Sequence, residues 1–279
     1  MLVSDADGID ALVQTLSTFE ADEELQESVT LALLRLSFGK ETEMREKIVA
    51  ARALPQLVRL LGVRATALAD RLQYCAAGCL GCIARGDAAS RAAVREAGSL
   101  RPLLQSLAFS KEVTVQQECA TALANISFGE PAAAEGIRAL GGVDKLLEKL
   151  RYPNDEVMNE ERRFALQDAA CGALLNLCLA EEGEGERCIA ELVKQDGKDV
   201  LSKFVRDTRN EPAARKAATL LGKCGVKGVG TRGTLIDKAK NVVTGILAWR
   251  IAQHLYWYTY PGGDGTFDMI FTLGWSGED

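Results

Sequence analysis

The chain has 279 residues, 47% of them hydrophobic and 26% charged, a balance that excludes a disordered polymer and fits a folded globular chain. Its net charge of −6 is mild and leaves no electrostatic footprint for nucleic acid. Six prolines among long alanine- and leucine-rich runs predict an all-α protein.

Taken from the start, MLVSDADG shows no charged region followed by an apolar run, so a signal peptide is not expected. The first helical stretch is GIDALVQTL, and its Leu12 recurs as Leu57 in ALPQLVRLL, Leu103 in SLRPLLQSL, Leu146 in GVDKLLEKL and Leu201 in GKDVLSKFV. The spacings are 45, 46, 43 and 55 residues. A second helix follows each of these, in LALLRLSFG, GCLGCIARG, TALANISFG, GALLNLCLA and ATLLGKCG. Equivalent positions there are Arg35, Cys82, Asn125, Asn176 and Gly222, spaced by 47, 43, 51 and 46. A third, short helix precedes each corner in REKIVAARA, RAAVREAGS, AEGIRALGG and RCIAELVKQDG. Two registers that agree predict a helical solenoid of about five repeats over residues 1–225, the first without its short helix.

The clearest unit runs from Val113 to Leu150. Its apolar positions Val115, Cys119, Ala122, Leu123 and Ile126 recur at helical steps. They predict a helix over Val113–Ser127, a short one over Ala132–Ala139, a corner at Gly141-Gly142 and a further helix to Leu150. The insertion Pro153–Arg163 falls between helices, and the acidic run Glu181–Glu186 reads as a solvated loop. All eight cysteines fall on apolar helix faces, which fits a reducing compartment and no disulfide framework. Cys75, Cys79 and Cys82 share one face, but no second ligand pair stands at zinc spacing, so close packing explains them and no metal site is expected.

The pattern I-x-x-x-G-[small]-[apolar]-x-x-L-[apolar]-x-[apolar]-L, followed by A-L-x-N-[apolar]-[small], is carried by AVREAGSLRPLLQSL with TALANIS and by GIRALGGVDKLLEKL with GALLNLC. It resembles the armadillo repeat family over roughly residues 6–225. HEAT repeats are the nearest competitor, and the short third helix with its glycine corner favours armadillo. The resemblance implies a concave groove lined by the last helix of each repeat, in which an Asn carboxamide holds the backbone of an extended partner. Asn125 and Asn176 keep that position, while Arg35, Cys82 and Gly222 do not. Nuclear-import adaptors carry a Trp four residues earlier, where this chain has Leu31, Gly78, Thr121, Gly172 and Ala218. Binding of basic localisation signals through aromatic slots is therefore not expected. Spacing alone adds Thr121, Gln117, Tyr74, Glu27 and Asp168 to the groove candidates. The competing reading is that Asn125 and Asn176 satisfy backbone groups inside the stack.

Gly228-Val229-Gly230-Thr231-Arg232-Gly233 matches a dinucleotide-binding fingerprint only literally, since no strand precedes it, and residues 226–233 read as a Gly-rich linker. Residues 234–279 differ in kind. They form an aromatic extension, helical to about 258, with Trp249, Arg250, His254, Trp257, Tyr258 and Trp275 as candidate docking residues. Six aliphatics over 242–260 contribute roughly −2 to −4 kcal/mol to bilayer insertion and Arg250 costs about +2.5 to +3.5, so spanning is not favoured. His254 is the only histidine, which leaves no acid–base pair or triad built on histidine. The expectation is a non-enzymatic interaction scaffold, cytoplasmic and without cofactor. It would bind protein partners, within a multi-subunit assembly, along its concave face and through its tail. The alternative is an accessory subunit of a membrane-bound organellar complex, with 234–260 at the lipid.

Overall fold

Fourteen α-helices and no strand account for the regular structure among the described residues, which are 6–39, 42–63, 68–151 and 160–226 of the computed structural model, with side chains from residue 8. The helices come as one pair followed by four triplets. The pair is α1 (Ala6–Thr18) and α2 (Glu23–Ser37). The triplets are α3 (Thr42–Ala50), α4 (Ala53–Leu61) and α5 (Ala69–Ala84); α6 (Ala88–Glu96), α7 (Leu100–Phe109) and α8 (Val113–Ser127); α9 (Pro131–Ala139), α10 (Gly142–Glu148) and α11 (Glu160–Cys178); and α12 (Glu184–Lys194), α13 (Gly197–Asp207) and α14 (Glu211–Lys223). The last helices of the sets, α2, α5, α8, α11 and α14, stack each on the next and form the ladder of a solenoid. The core lies between the ladder and the middle helices. Four of the five register leucines, Leu57, Leu103, Leu146 and Leu201, are fully buried there, each worth roughly 1.5–3 kcal/mol, while Leu12 is partly buried.

Each short helix meets its middle helix at a corner made by one left-handed residue: Arg52, Gly98, Gly141 and Asp196, with φ of 61°, 82°, 70° and 58°. Glycine stands at only two of the four. Arg52 and Asp196 accept the strain, about 1–2 kcal/mol for an L-residue, because the packed helices on both sides demand the turn. The next residue is buried against the short helix at every corner. There Ser99 donates its Oγ to the Val94 carbonyl at 2.8 Å, and a Cβ on Gly197 would stand 2.5 Å from the Leu192 carbonyl oxygen.

A second periodic device joins middle to ladder helix. Gln26 Nε2 donates to the carbonyls of Leu16 and Phe19, Gln73 Nε2 to Val63 and Gln116 Nε2 to Ser110, at 2.5–3.0 Å. These buried amides satisfy carbonyls that the end of a helix leaves without intrahelical donors. Gln26, Gln73, Gln116 and Gln167 are spaced by 47, 43 and 51 residues, the spacing of the ladder register itself.

Two expectations are corrected. The acidic run is not wholly a solvated loop, because α12 begins within it and buries Glu184, whose two carboxylate oxygens take Arg138 and Arg187. The insertion does not extend to Arg163, because α11 already begins at Glu160. No described helix is long and apolar enough to cross a membrane. The linker and the aromatic extension lie outside the described residues.

Candidate functional site

The ladder helices α2, α5, α8 and α11 each present a side chain at the register position and another two turns earlier, and the residues singled out by spacing come from these positions, with Thr121 one turn before Asn125. Four of the candidates prove to be joints of the ladder. Glu27 on α2 pairs with Arg71 on α5 at 2.6 Å. Asn125 Nδ2 on α8 donates to the Gly81 carbonyl of α5 at 2.9 Å, and Asn176 Nδ2 on α11 donates to the Ala124 carbonyl of α8 at 2.8 Å. Lys216 on α14 pairs with Asp168 on α11 at 2.7 Å. Each of the four steps of the ladder is thus crossed by at least one polar contact.

The two asparagines therefore do the work that the within-stack reading assigns them. They also keep something in reserve. A carboxamide has two N–H donors and an acceptor oxygen, and only one donor is used by the described residues. Both side chains are half-buried, so the remaining donor and acceptor lie at the face of the ladder. Arg35, Tyr74, Gln117 and Thr121 stand on the same helices. Arg35 and Tyr74 are exposed, Gln117 and Thr121 half-exposed, and none makes a hydrogen bond or ion pair among the described residues.

Spacing missed Glu118, the neighbour of Gln117. Its Oε2 lies 3.3 Å from where Gly78 of α5 would carry a Cβ, so the carboxylate occupies room left by the missing side chain, with Leu34 on the other side. Glu118 makes no hydrogen bond and no ion pair among the described residues, in contrast to Glu27 and Asp168. Burial pushes its carboxyl above the ordinary range. Burial raises the neighbouring Tyr74 hydroxyl as well, with a further push from the Glu118 charge. The signal available in the sequence was Gly78, which opens space on α5 opposite the one acid on that stretch of α8.

The thiols behave as core. All eight are buried, and burial pushes Cys75 and Cys188 up to about 11 and Cys79 and Cys178 up to about 12. A protonated, enclosed thiol is neither a nucleophile nor a ready metal ligand. No group of three or more metal-ligating side chains is present among the described residues. The tail candidates Trp249, Arg250, His254, Trp257, Tyr258 and Trp275 lie outside the described residues.

Residues 87–128, which span α6, α7 and α8, match the Armadillo/beta-catenin-like repeat. No curated protein matches the chain. Among solved structures, an engineered protein is 28% identical over 78% of this chain and 80% of its own, with a TM-score of 0.66. A designed armadillo repeat protein in complex with the peptide (KR)4 is 23% identical over 78% of this chain and 82% of its own, with a TM-score of 0.65. The armadillo repeats only protein of Plasmodium falciparum is 18% identical over 72% of this chain and 80% of its own, with a TM-score of 0.60. The repeat match and the shared solenoid agree with the ladder and its corners: residues 87–128 form an armadillo repeat, and the chain has the fold of the armadillo-type helical solenoids.

Proposed function

We propose that the protein is a non-enzymatic scaffold that binds an extended segment of a partner protein along the ladder face, with a Lys or Arg of that segment over Gly78 against Glu118. The observation that carries this reading is the uncompensated carboxylate. A half-buried charge without a counterion is costly, and a cation arriving from a partner removes that cost. Tyr74, exposed beside it, offers a ring face to the same cation. The unused donor and acceptor of Asn125 and Asn176 can take the partner's backbone without regard to its sequence. A designed armadillo repeat protein of the same fold is in complex with the basic peptide (KR)4, which supports this reading.

The test is a random-peptide display selection on the immobilised full chain, followed by affinities for the winners. Enrichment of Lys or Arg is expected, with binding weakened about 10–100-fold by Glu118→Gln, the worth of a charge-assisted contact of about 1.5–3 kcal/mol. Winners without a basic residue, or with unchanged affinity for the variant, would sink the claim.

The tail is the second contact of the proposed scaffold, within a larger assembly. Its clustered Trp and Tyr residues support that reading, and the eight core thiols support a reducing, cytoplasmic setting. Liposome flotation of the full chain separates this from the organellar membrane alternative. Co-flotation that is lost in a Trp249→Ser, Trp257→Ser variant assigns the tail to lipid.

A further inference from the structure

One residue after each of the first four ladder helices ends, three positions beyond the register residue, the chain places Phe38, Arg85, Phe128 and Leu179. Phe38 is 68% exposed, Phe128 62% and Leu179 50%, values that no core role explains at three equivalent positions. Arg85 lies over the Phe38 ring at 5.5 Å and Arg91 over the Phe128 ring at 5.7 Å. Arg85 is exposed and has no carboxylate partner among the described residues. The ridge along the C-terminal ends of α2, α5, α8 and α11 is therefore a row of apolar, cationic, apolar and apolar groups. It lies away from Glu118, whose contacts are midway along α5.

We propose that this ridge is a second docking surface, for an extended partner segment with one acidic and three apolar side chains. Packed helices stand about 8–10 Å apart, and a segment in the extended polyproline II conformation returns a side chain to the same face every three residues, about 9 Å. The matching segment thus has the pattern apolar-x-x-acidic-x-x-apolar-x-x-apolar. Its apolar groups meet Phe38, Phe128 and Leu179, and its carboxylate meets Arg85. Charge fixes the place of the acid. Beyond Leu179 the exposed Glu181 and Glu182 repel one, so the acid belongs at Arg85 and the far end of the segment is neutral or basic.

The probe is a fluorescent peptide, Leu-Ser-Ser-Asp-Ser-Ser-Leu-Ser-Ser-Leu, titrated with the full chain and read by anisotropy. Binding is expected to fall at least 10-fold with Phe128→Ser, and with Lys in place of the peptide's Asp. Arg85→Glu is expected to invert the preference between the Asp and Lys peptides. Both sites are exposed, so the thermal midpoint of each variant serves as the folding control. Glu118→Gln is expected to leave this binding unchanged, which keeps the ridge distinct from the ladder face. Any of three results would overturn the proposal. They are no binding up to millimolar chain, equal affinity for the Asp and Lys peptides, and binding of the chain to phosphatidylserine vesicles that is lost with Phe38→Ser and Phe128→Ser.

Discussion

Glu118 and Glu184 are both carboxylates withdrawn from water, and the withdrawal moves them in opposite directions. At Glu184 burial also pushes upward, but the hydrogen bonds from Arg138 and Arg187 outweigh it and hold the carboxyl below the ordinary range. A depressed folded pKa contributes stability that is present above the unfolded value, near 4.3, and is lost as pH falls through the folded value. Glu184→Gln is therefore expected to cost about 3 kcal/mol at pH 7, with the deficit closing as the pH of a urea titration drops below about 4. Glu118 has no such compensation, so its raised folded pKa subtracts stability above the folded value and nothing below the unfolded one. Glu118→Gln should stabilise the chain by about 1 kcal/mol at pH 7, and that gain should vanish on acidification through the same titration. If Glu118→Gln destabilised the chain instead, the carboxylate would be a structural residue and the ladder-face reading would lose its main support.

Among the elements, the helix from Val113 to Ser127 was legible to the residue because its apolar positions keep one period from end to end. The corners were legible in place but not in chemistry. Glycine marks Gly98 and Gly141, while Arg52 and Asp196 take the same left-handed turn under the pressure of packing, which leaves no mark in a local pattern. The partners of Asn125 and Asn176 were hidden for a related reason, since each hydrogen bond reaches a backbone carbonyl in another repeat. Gln26, Gln73 and Gln116 were within reach, because they recur at the spacing already found, and only their meaning as caps needed coordinates. Gly197, which follows the corner residue Asp196, and Gly222, inside α14, make a signed prediction. Helical Gly→Ala normally stabilises by up to about 1 kcal/mol. Gly222→Ala meets nothing within 4 Å and should do so. Gly197→Ala drives a methyl group into Leu192 and should instead cost about 1–3 kcal/mol in denaturant unfolding.

At the scale of the solenoid, a ladder helix in the middle has two stacked neighbours and a helix at the end has one. Stability in such a stack is close to a sum of repeat and interface terms. Amide hydrogen exchange should accordingly be slowest in α5, α8 and α11 and faster in α1 and α2, read by mass spectrometry on the full chain. Uniform protection across the stack would mean that the repeats unfold as one cooperative block.

The Asn125 and Asn176 joints bear on how such a chain can lengthen. Each asparagine brings its own donor and finds its acceptor in the main chain of the preceding repeat, at a small residue, Gly81 or Ala124. Every repeat has a main-chain carbonyl at that place, whatever its side chains have become. A duplicated copy inserted after any repeat with a small residue there would find its partner ready-made, with no matching mutation needed in the neighbour. The chain can gain or lose a segment of its length in one genetic event, while the surfaces that choose partners drift independently.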